Sequence, residues 1–435
     1  MSMLARWLRS FRGSCSDIRT DGGEDSDARI ESLRKQLAQA SARGDVQSGR
    51  RVCEQILARV PDDSSTLGVI ATLSLLAGDV AGAESWLGKL LPQPGMPRLL
   101  RNALFDIEQV KRKQPYVAQV KNVLVETAFW SVIAHDKVYN VEVHGRALEK
   151  SPFVKGRAAP DGSAFIMALP PPSLTVADPC VHLGGDENYC HWITRNLMKL
   201  ALLEDHPAQA LPLLINEDLR PYQVDLLDIL GIAPSRLVKV PRGEVVGCAE
   251  LYVPTLLRSH WKMHIGIDWL RSKVAHLTAA VTAQRLLYVS RADSAARCLV
   301  NEEEVLDQLR PLGFERIVPG RMSVVEQINA FASARVIVAP HGAALANMIF
   351  APLDAAVVEI ISGYKLPMTG FREMAKSLGQ SFERVVSEDY VVTRPESYLA
   401  NTDFRVDPHA VVGALRKVAP WLTHKAGQGS TAVDG

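Results

Sequence analysis

From about Tyr116 onward, short runs of β-branched and aromatic residues alternate with stretches of helical period. Such alternation predicts α/β units with parallel strands, because a strand buried on both faces reads as a continuous apolar run between amphipathic helices. In the first half the pattern predicts strands at Val123–Glu126, Phe165–Leu169, Val181–Leu183, Pro212–Ile215, Leu237–Val240 and Leu251–Val253. Helices fit Tyr189–Glu204, Pro221–Leu230 and Ile265–Ala283. In the second half, strands Leu286–Ser290, Arg316–Val318, Val336–Ala339 and Val357–Ile361 alternate with helices Glu302–Leu312, Val324–Ala334, Ala344–Phe350 and Leu366–Leu378. That is a Rossmann-like run. It lacks G-x-G-x-x-G after its first strand, so a nicotinamide dinucleotide is not expected. Two such halves, 113–283 and 284–425, predict a ligand cleft between them.

Between Glu31 and Leu91 the period is helical instead, with a self-similarity at 34 residues. Gly44-Asp45-Val46 returns as Gly78-Asp79-Val80, Gly49 aligns with Ala83, Ile56 with Leu90 and Leu57 with Leu91, and Pro61 and Pro92/Pro94 close the copies. The segment 28–112 resembles the tetratricopeptide repeat in this respect. A hairpin of that kind buries its apolar stripe only on a neighbour, and about three repeats are the usual minimum. With fewer than three, the segment is expected to pack on the next domain, on a protein partner or on a second copy. Ahead of it, residues 1–27 form a tail and linker. Leu4, Trp7, Leu8 and Phe11 share one helical face opposite Arg6, Arg9 and Arg12, which suits peripheral contact with an anionic membrane or a frayed basic tail. Residues 426–435 are expected to be disordered.

Composition narrows the function classes. The chain has 49 Lys+Arg against 48 Asp+Glu, a formal net charge of +1. No global field draws it to nucleic acid, so any anion site must be built locally from a few placed groups. With 47% hydrophobic and 22% charged residues it is an ordinary globular mixture. Its 435 residues suggest two or three domains, since single cores stop growing at about 250–300. Cys15, Cys53, Cys180, Cys190, Cys248 and Cys298 are scattered and form no C-x-x-C pair. Such usage fits a reduced protein, and with neither a signal peptide nor a membrane span visible a cytoplasmic address is expected.

Four constellations could carry chemistry. Val336-Ile-Val-Ala-Pro-His341-Gly342-Ala343 breaks from a strand into a helix start, where free amides and the helix dipole suit an anion. Arg291 and Arg297 stand on the loop after Tyr288-Val-Ser290, able to pair with phosphate oxygens. Asn301 and Glu304 in the same stretch read as a capping box. Gly184-Gly-Asp186-Glu187-Asn188-Tyr189-Cys-His191-Trp192 places a histidine and two carboxylates at another strand end, which suits either a general base or plain helix capping. Glu359, near the end of Val357–Ile361, can accept ribose hydroxyls or stand as an exposed strand-end charge. His260 and His264 are spaced i, i+4 but lack a third ligand, and Asp25-Ser26-Asp27 lies in a Gly/Ser/Asp linker. No metal site is expected.

Taken together these residues resemble glycosyltransferase family 61. The resemblance rests on Asn188-Tyr-Cys-His191-Trp192, Tyr288-Val-Ser-Arg291 with Arg297 and Asn301-Glu302-x-Glu304, Gly313-Phe314-Glu315, Glu326-Gln327, Pro340-His341-Gly-Ala-Ala-Leu-Ala-Asn347-Met-Ile-Phe350 and Val358-Glu359-Ile360. It implies two Rossmann-like domains facing across a cleft (GT-B), and inverting transfer from a nucleotide-sugar donor to a glycan or glycolipid acceptor. It implies no obligatory metal and no separate cofactor. Bacterial members of this kind are linked to capsule or lipopolysaccharide assembly, which suits an enzyme peripheral on the inner face of the cytoplasmic membrane. Carried over, Arg291, Arg297, His341, Gly342 and Ala343 hold the diphosphate, Asn347 supports that loop and Glu359 meets the ribose. On the acceptor side Asn188, Tyr189 and Trp192 bind, with His191 as base and Asp186 and Glu187 beside it. The sequence departs from the family after Trp192, reading Ile193-Thr-Arg-Asn-Leu-Met-Lys where many members have Leu-Pro-Arg. Two other readings remain open: a scaffold with a non-catalytic transferase domain, and transfer of a pyruvyl or phosphoryl group.

Overall fold

A computed structural model describes residues 24–77, 79, 82, 83, 85, 86, 89, 97–102, 115–135, 137–140, 151–157, 164–257, 260–365, 368–391 and 402–422. The basic segment 1–12 and the tail 426–435 lie outside these residues. Three helices come first, α1 (Glu24–Arg43), α2 (Val46–Leu57) and α3 (Ser64–Leu76). Asp45 caps α2 by accepting from the Ser48 amide at 3.0 Å. Gly49 lets α2 and α3 approach, since a Cβ there would lie 2.9 Å from Leu73 Cδ1. Their core is Leu33, Leu37, Cys53, Ile56, Leu67, Ile70 and Leu73.

Beyond them the chain builds two large sheets. The second is wholly parallel: β12 (Arg285–Val289), β13 (Phe314–Ile317), β14 (Ala334–Pro340), β15 (Ala356–Ser362) and β16 (Ser381–Ser387), in the order β13-β12-β14-β15-β16. Helices cover both faces, as parallel strands require. Leu287, Val289, Ile337 and Val357 point to one face, against Ile328 and Phe331 of the helix Val324–Ala332. Their neighbours Leu286, Tyr288, Val336 and Val358 point to the other, against Val305, Leu306 and Leu415. The first strand of this sheet is therefore flanked by the second and third. At that reversal the connections leave in opposite directions, opening a crevice at the carboxyl ends of β12 and β14 where ligands of such sheets bind.

The first sheet differs from the Rossmann-like expectation. Only one flank is parallel, running β10 (Leu237–Val240), β9 (Leu213–Asn216), β8 (Cys180–Gly184), β11 (Val245–Pro254). Beyond β11 the sheet continues largely antiparallel through β2 (Val117–Glu126), β3 (Ser131–Ala134), β4 (Lys137–Asn140), β1 (Pro97–Asn102), β6 (Ala164–Ala168) and β5 (Val154–Arg157). β1 lies within the stretch read as helical, yet it pairs with β6 along its length. The predicted helix Tyr189–Glu204 is an irregular one, passing from an α turn at Tyr189–His191 through wider turns at Trp192–Leu197 to a 3-10 segment at Met198–Leu203.

One core joins the two sheets. It runs from Val181, Trp192 and Leu197, through Met263, Ile267, Leu270 and Val274 of the helix His260–Thr278, to Leu345, Phe371 and Met374. Arg271 on that helix donates to the carbonyls of Ile349 (2.6 Å) and Ala351 (2.7 Å), where the 3-10 helix Ala343–Phe350 ends. Residue 284 thus divides the sequence pattern but not the core. Among the described residues no helix is long and apolar enough to cross a membrane, and no group of three or more His, Cys, Asp or Glu could hold a metal ion.

Candidate functional site

A cavity of about 540 Å³ opens at the β12/β14 reversal. The second half supplies most of its wall, from Val289–Arg291 through Arg297 and Pro319 to Pro340 and Gly342–Leu345. The first half supplies Tyr189, Pro221, Tyr222 and Asp225.

Arg291 dominates the electrostatics. Its Nη2 donates to Ser294 Oγ (2.7 Å) and the Ala296 carbonyl (3.0 Å), while its Nε is buried without a partner. Burial and the neighbouring Arg297 push its guanidinium down to about 10 from 12.5. Arg297 sits at φ 60°, in the left-handed region, and burial lowers it too; its Nε is likewise buried and unpartnered. Lys365, closing the 3-10 turn Gly363–Lys365 after β15, is lowered by burial and then by Arg297. None of the three makes an ion pair among the described residues. Asp293 and Asp403 offset only part of the shift of Arg291, so desolvated cations crowded here stand to gain from an anion.

Gly342 is there for space rather than backbone freedom. Its φ of −168° is extended and open to any residue, yet a Cβ would lie 1.9 Å from Arg291 Nη1. The 3-10 helix opens at Ala343, and Ala343–Leu345 line the cavity, so its positive end faces the same space as the arginines.

His341 and Glu359 meet, but not as the sequence implies. Glu359 is fully buried: Oε1 accepts from His341 Nδ1 at 2.6 Å, and Oε2 accepts from Arg384 Nε at 2.6 Å and pairs with its Nη2. A carboxylate fully buried and engaged inside the protein, outside the cavity wall, does not meet a ribose bound there. Glu359 instead fixes the ring of His341, leaving Nε2 uncommitted, and neither residue belongs to the cavity wall. Asn347 is also fully buried. It accepts from the Tyr189 hydroxyl (2.6 Å) and donates to Gln327 (2.9 Å), so it links the two halves beside the cavity. Tyr189 is committed to that bond while its ring, edge-on to Tyr222, lines the wall.

The remaining acceptor-side candidates are occupied elsewhere. His191 Nδ1 lies 3.1 Å from Asp186, and Arg195 Nη2 lies 3.2 Å from Nε2. Both ring nitrogens therefore face partners within the protein. His191 is absent from the cavity wall. Burial would raise the Asp186 carboxyl, but His191 and Arg195 outweigh it and hold it below its ordinary value. Glu187 pairs with Arg220 (2.8 Å) and Arg242 (3.2 Å), and Asn188 caps the turn by accepting from the His191 amide (3.2 Å). Trp192 is wholly buried in the shared core and cannot stack on an acceptor. Asn301 does not cap the helix behind it; it donates to Glu304 (3.0 Å) and exchanges bonds with Val406. The sequence reading missed Lys365, Asp225, Tyr222 and Arg384, of which only Tyr222, beside Pro221 at a helix start, carries a recognisable signal.

Comparison with known proteins bears on this stretch. A 78-residue segment is 42% identical to the beta-1,2-xylosyltransferase XAX1 of Oryza sativa subsp. japonica, covering 18% of this chain and 13% of the rice protein. A mutant O-GlcNAc transferase of Thermobaculum terrenum aligns over 86% of this chain and 59% of its own, at 11% identity and a TM-score of 0.17. The chain thus spans under two thirds of either protein. Residues 189–358, and with them the entire cavity wall, match the family model described as Glycosyltransferase 61, and over that stretch the chain is similar to this family.

Proposed function

We propose that this protein is a glycosyltransferase that moves a sugar from a nucleotide-sugar to a glycan acceptor with inversion, in a two-domain GT-B-like arrangement. One observation carries the reading. Arg291 and Arg297 are buried together without an ion pair among the described residues, against a glycine that keeps the space before them open. A diphosphate fits that vacancy of charge, since its oxygens pair with guanidiniums and with a helix N-terminus at once. The same groups stabilise the diphosphate as it leaves, and charge developing there is worth most where water is excluded. The charge they supply is what a divalent cation provides in other transferases, so the reading is metal-independent.

Inversion needs a single displacement: the acceptor hydroxyl attacks C1 from the side opposite the diphosphate. The wall of Tyr189, Pro221 and Tyr222 suits that acceptor, because aromatic rings pack well on sugar faces. The rice relative is a xylosyltransferase by name, so a nucleotide-activated xylose, tested as UDP-xylose, is the first donor to try. A place in bacterial capsule or lipopolysaccharide assembly, docking through the tetratricopeptide-like segment and membrane contact through residues 1–12 complete the proposal.

The test is calorimetry with UDP and a nucleotide-sugar panel on the full chain and on Arg297→Ala. Binding by the wild type that weakens at least tenfold in the variant supports the site. Equal affinity in both would move the diphosphate elsewhere.

A further inference from the structure

The reaction needs a group to take the proton of the acceptor hydroxyl, and the histidine that the sequence offers is engaged at both ring nitrogens. Asp186 and Glu187 are tied up in ion pairs. Two carboxylates remain in the cavity wall. Asp293 lies on the arginine loop and its Oδ2 accepts from the Gly320 amide at 2.8 Å. Asp225 lies on the other side of the chain's division, on the helix Pro221–Ile229, one turn beyond Tyr222. Its carboxylate makes no hydrogen bond and no ion pair among the described residues, although the same helix begins beside Arg220.

We infer that Asp225 is the catalytic base, a role resting on the donor-site reading above. The geometry has the required division: cations and a helix N-terminus on the wall from the second sheet, an uncommitted carboxylate on the wall from the first. The acceptor hydroxyl oxygen forms a bond to C1 of the sugar. The bond from C1 to the diphosphate oxygen breaks, and its electron pair leaves with the diphosphate onto Arg291 and Arg297. The hydroxyl proton goes to an Asp225 oxygen. No oxidant, metal or covalent sugar is needed for the balance.

Several charged and titratable groups face Asp225. On its own helix and the loop before it stand Asp218, Arg220 and Asp228. The packed helix Val324–Ala332 brings Glu326, already held by Ser323, and the cavity brings Arg291, Arg297, Asp293, Tyr189 and Tyr222.

The experiment compares wild type, Asp225→Asn and Asp225→Glu in the full chain, reading UDP release from UDP-xylose, or from whichever nucleotide-sugar gives the largest thermal shift, alongside UDP affinity by calorimetry. Losing a base typically costs about 10²–10⁴ in rate. The Asn variant is therefore expected to lose at least about 10² in kcat with UDP affinity unchanged. The Glu variant should recover part of the rate. A wild-type kcat in Asp225→Asn overturns the assignment while leaving the donor site intact, and so does a rise in KM alone, which marks a sugar-binding residue. If the wild type neither binds UDP nor turns over any donor, the donor-site reading fails and this assignment falls with it.

Discussion

Replacing Arg291 by Met separates what this side chain does for the fold from what it does for the ligand. Its folded-state value of about 10 lies below the 12.5 it has when exposed. At about 1.4 kcal/mol for each pH unit, burying the cation costs about 3 kcal/mol. The sign follows from the direction. A base whose proton is held less tightly in the fold destabilises it at every pH below about 10, and the penalty fades only as pH climbs towards 12.5. An assay at neutral pH sees all of it. Met fills similar space but forfeits the bonds to Ser294 and Ala296, each worth about 1 kcal/mol net. The variant should therefore be about 1 kcal/mol more stable than the wild type without nucleotide, a rise in Tm of about 2 °C. The ligand response goes the other way. UDP at a hundred times its Kd should stabilise the wild type by about 2.7 kcal/mol and Arg291→Met far less. Differential scanning fluorimetry with and without UDP reads both. A variant that melts below the wild type, or that gains as much from UDP, would refute the view of Arg291 as an uncompensated cation awaiting an anion.

Other perturbations probe the neighbouring claims. Gly342→Ala should displace the Arg291 guanidinium, because the new Cβ would lie 1.9 Å from Nη1; UDP affinity by calorimetry is expected to fall at least tenfold while Tm barely moves. Glu359→Gln strips Arg384 and His341 of their buried partner, and breaking such a pair costs about 3–5 kcal/mol, readable by chemical denaturation. Glu126 lies outside the site, where burial pushes its carboxyl up to about 7 despite bonds from Ser131 and Phe129. Its charged form destabilises the fold, by nothing below pH 4.5 and by about 3 kcal/mol above pH 7. The stability of Glu126→Gln relative to the wild type should thus rise between pH 5 and pH 8, and an equal difference at both would count against the assignment.

What the sequence makes legible follows the strength of its periodic signal. The strands Leu286–Ser290, Val336–Ala339 and Val357–Ile361 are runs buried on both faces, and they lie where the pattern puts them to within two residues at each end. β1, β3, β4 and β5 are short and pair antiparallel except where β1 meets β4, and β1 falls in the segment 28–112 assigned to helical repeats. Burial patterns of four to six residues are too brief to overrule their surroundings. Glu359 shows the limit at the site. A charge near a strand end looks like a ligand until β16 is known, because the register places Glu359 against Arg384. Trp192 beside His191 likewise looks like a stacking platform, and only the core shared between the sheets makes it a packing residue. Asp225 has no motif at all: it matters through what its carboxylate lacks.

The near-neutral chain buries Arg291 and Arg297 in one crevice, and the shared core explains how that crevice keeps its shape. Buried cations that repel one another and form no ion pair among the described residues persist only on rigid supports. Here those supports are the ends of parallel strands with helices on both faces. The acceptor wall needs the same precision, since a near-attack geometry tolerates little displacement. It comes from the chain Tyr189–Asn347–Gln327, which runs from the acceptor-side turn to the donor-side helix, and from Arg271, whose guanidinium closes the far end of the 3-10 helix that opens at Gly342. An open cleft between independent domains would hold donor and acceptor walls in register only after closure. A core continuous across both sheets holds them so beforehand, leaving less to be arranged when the substrates bind.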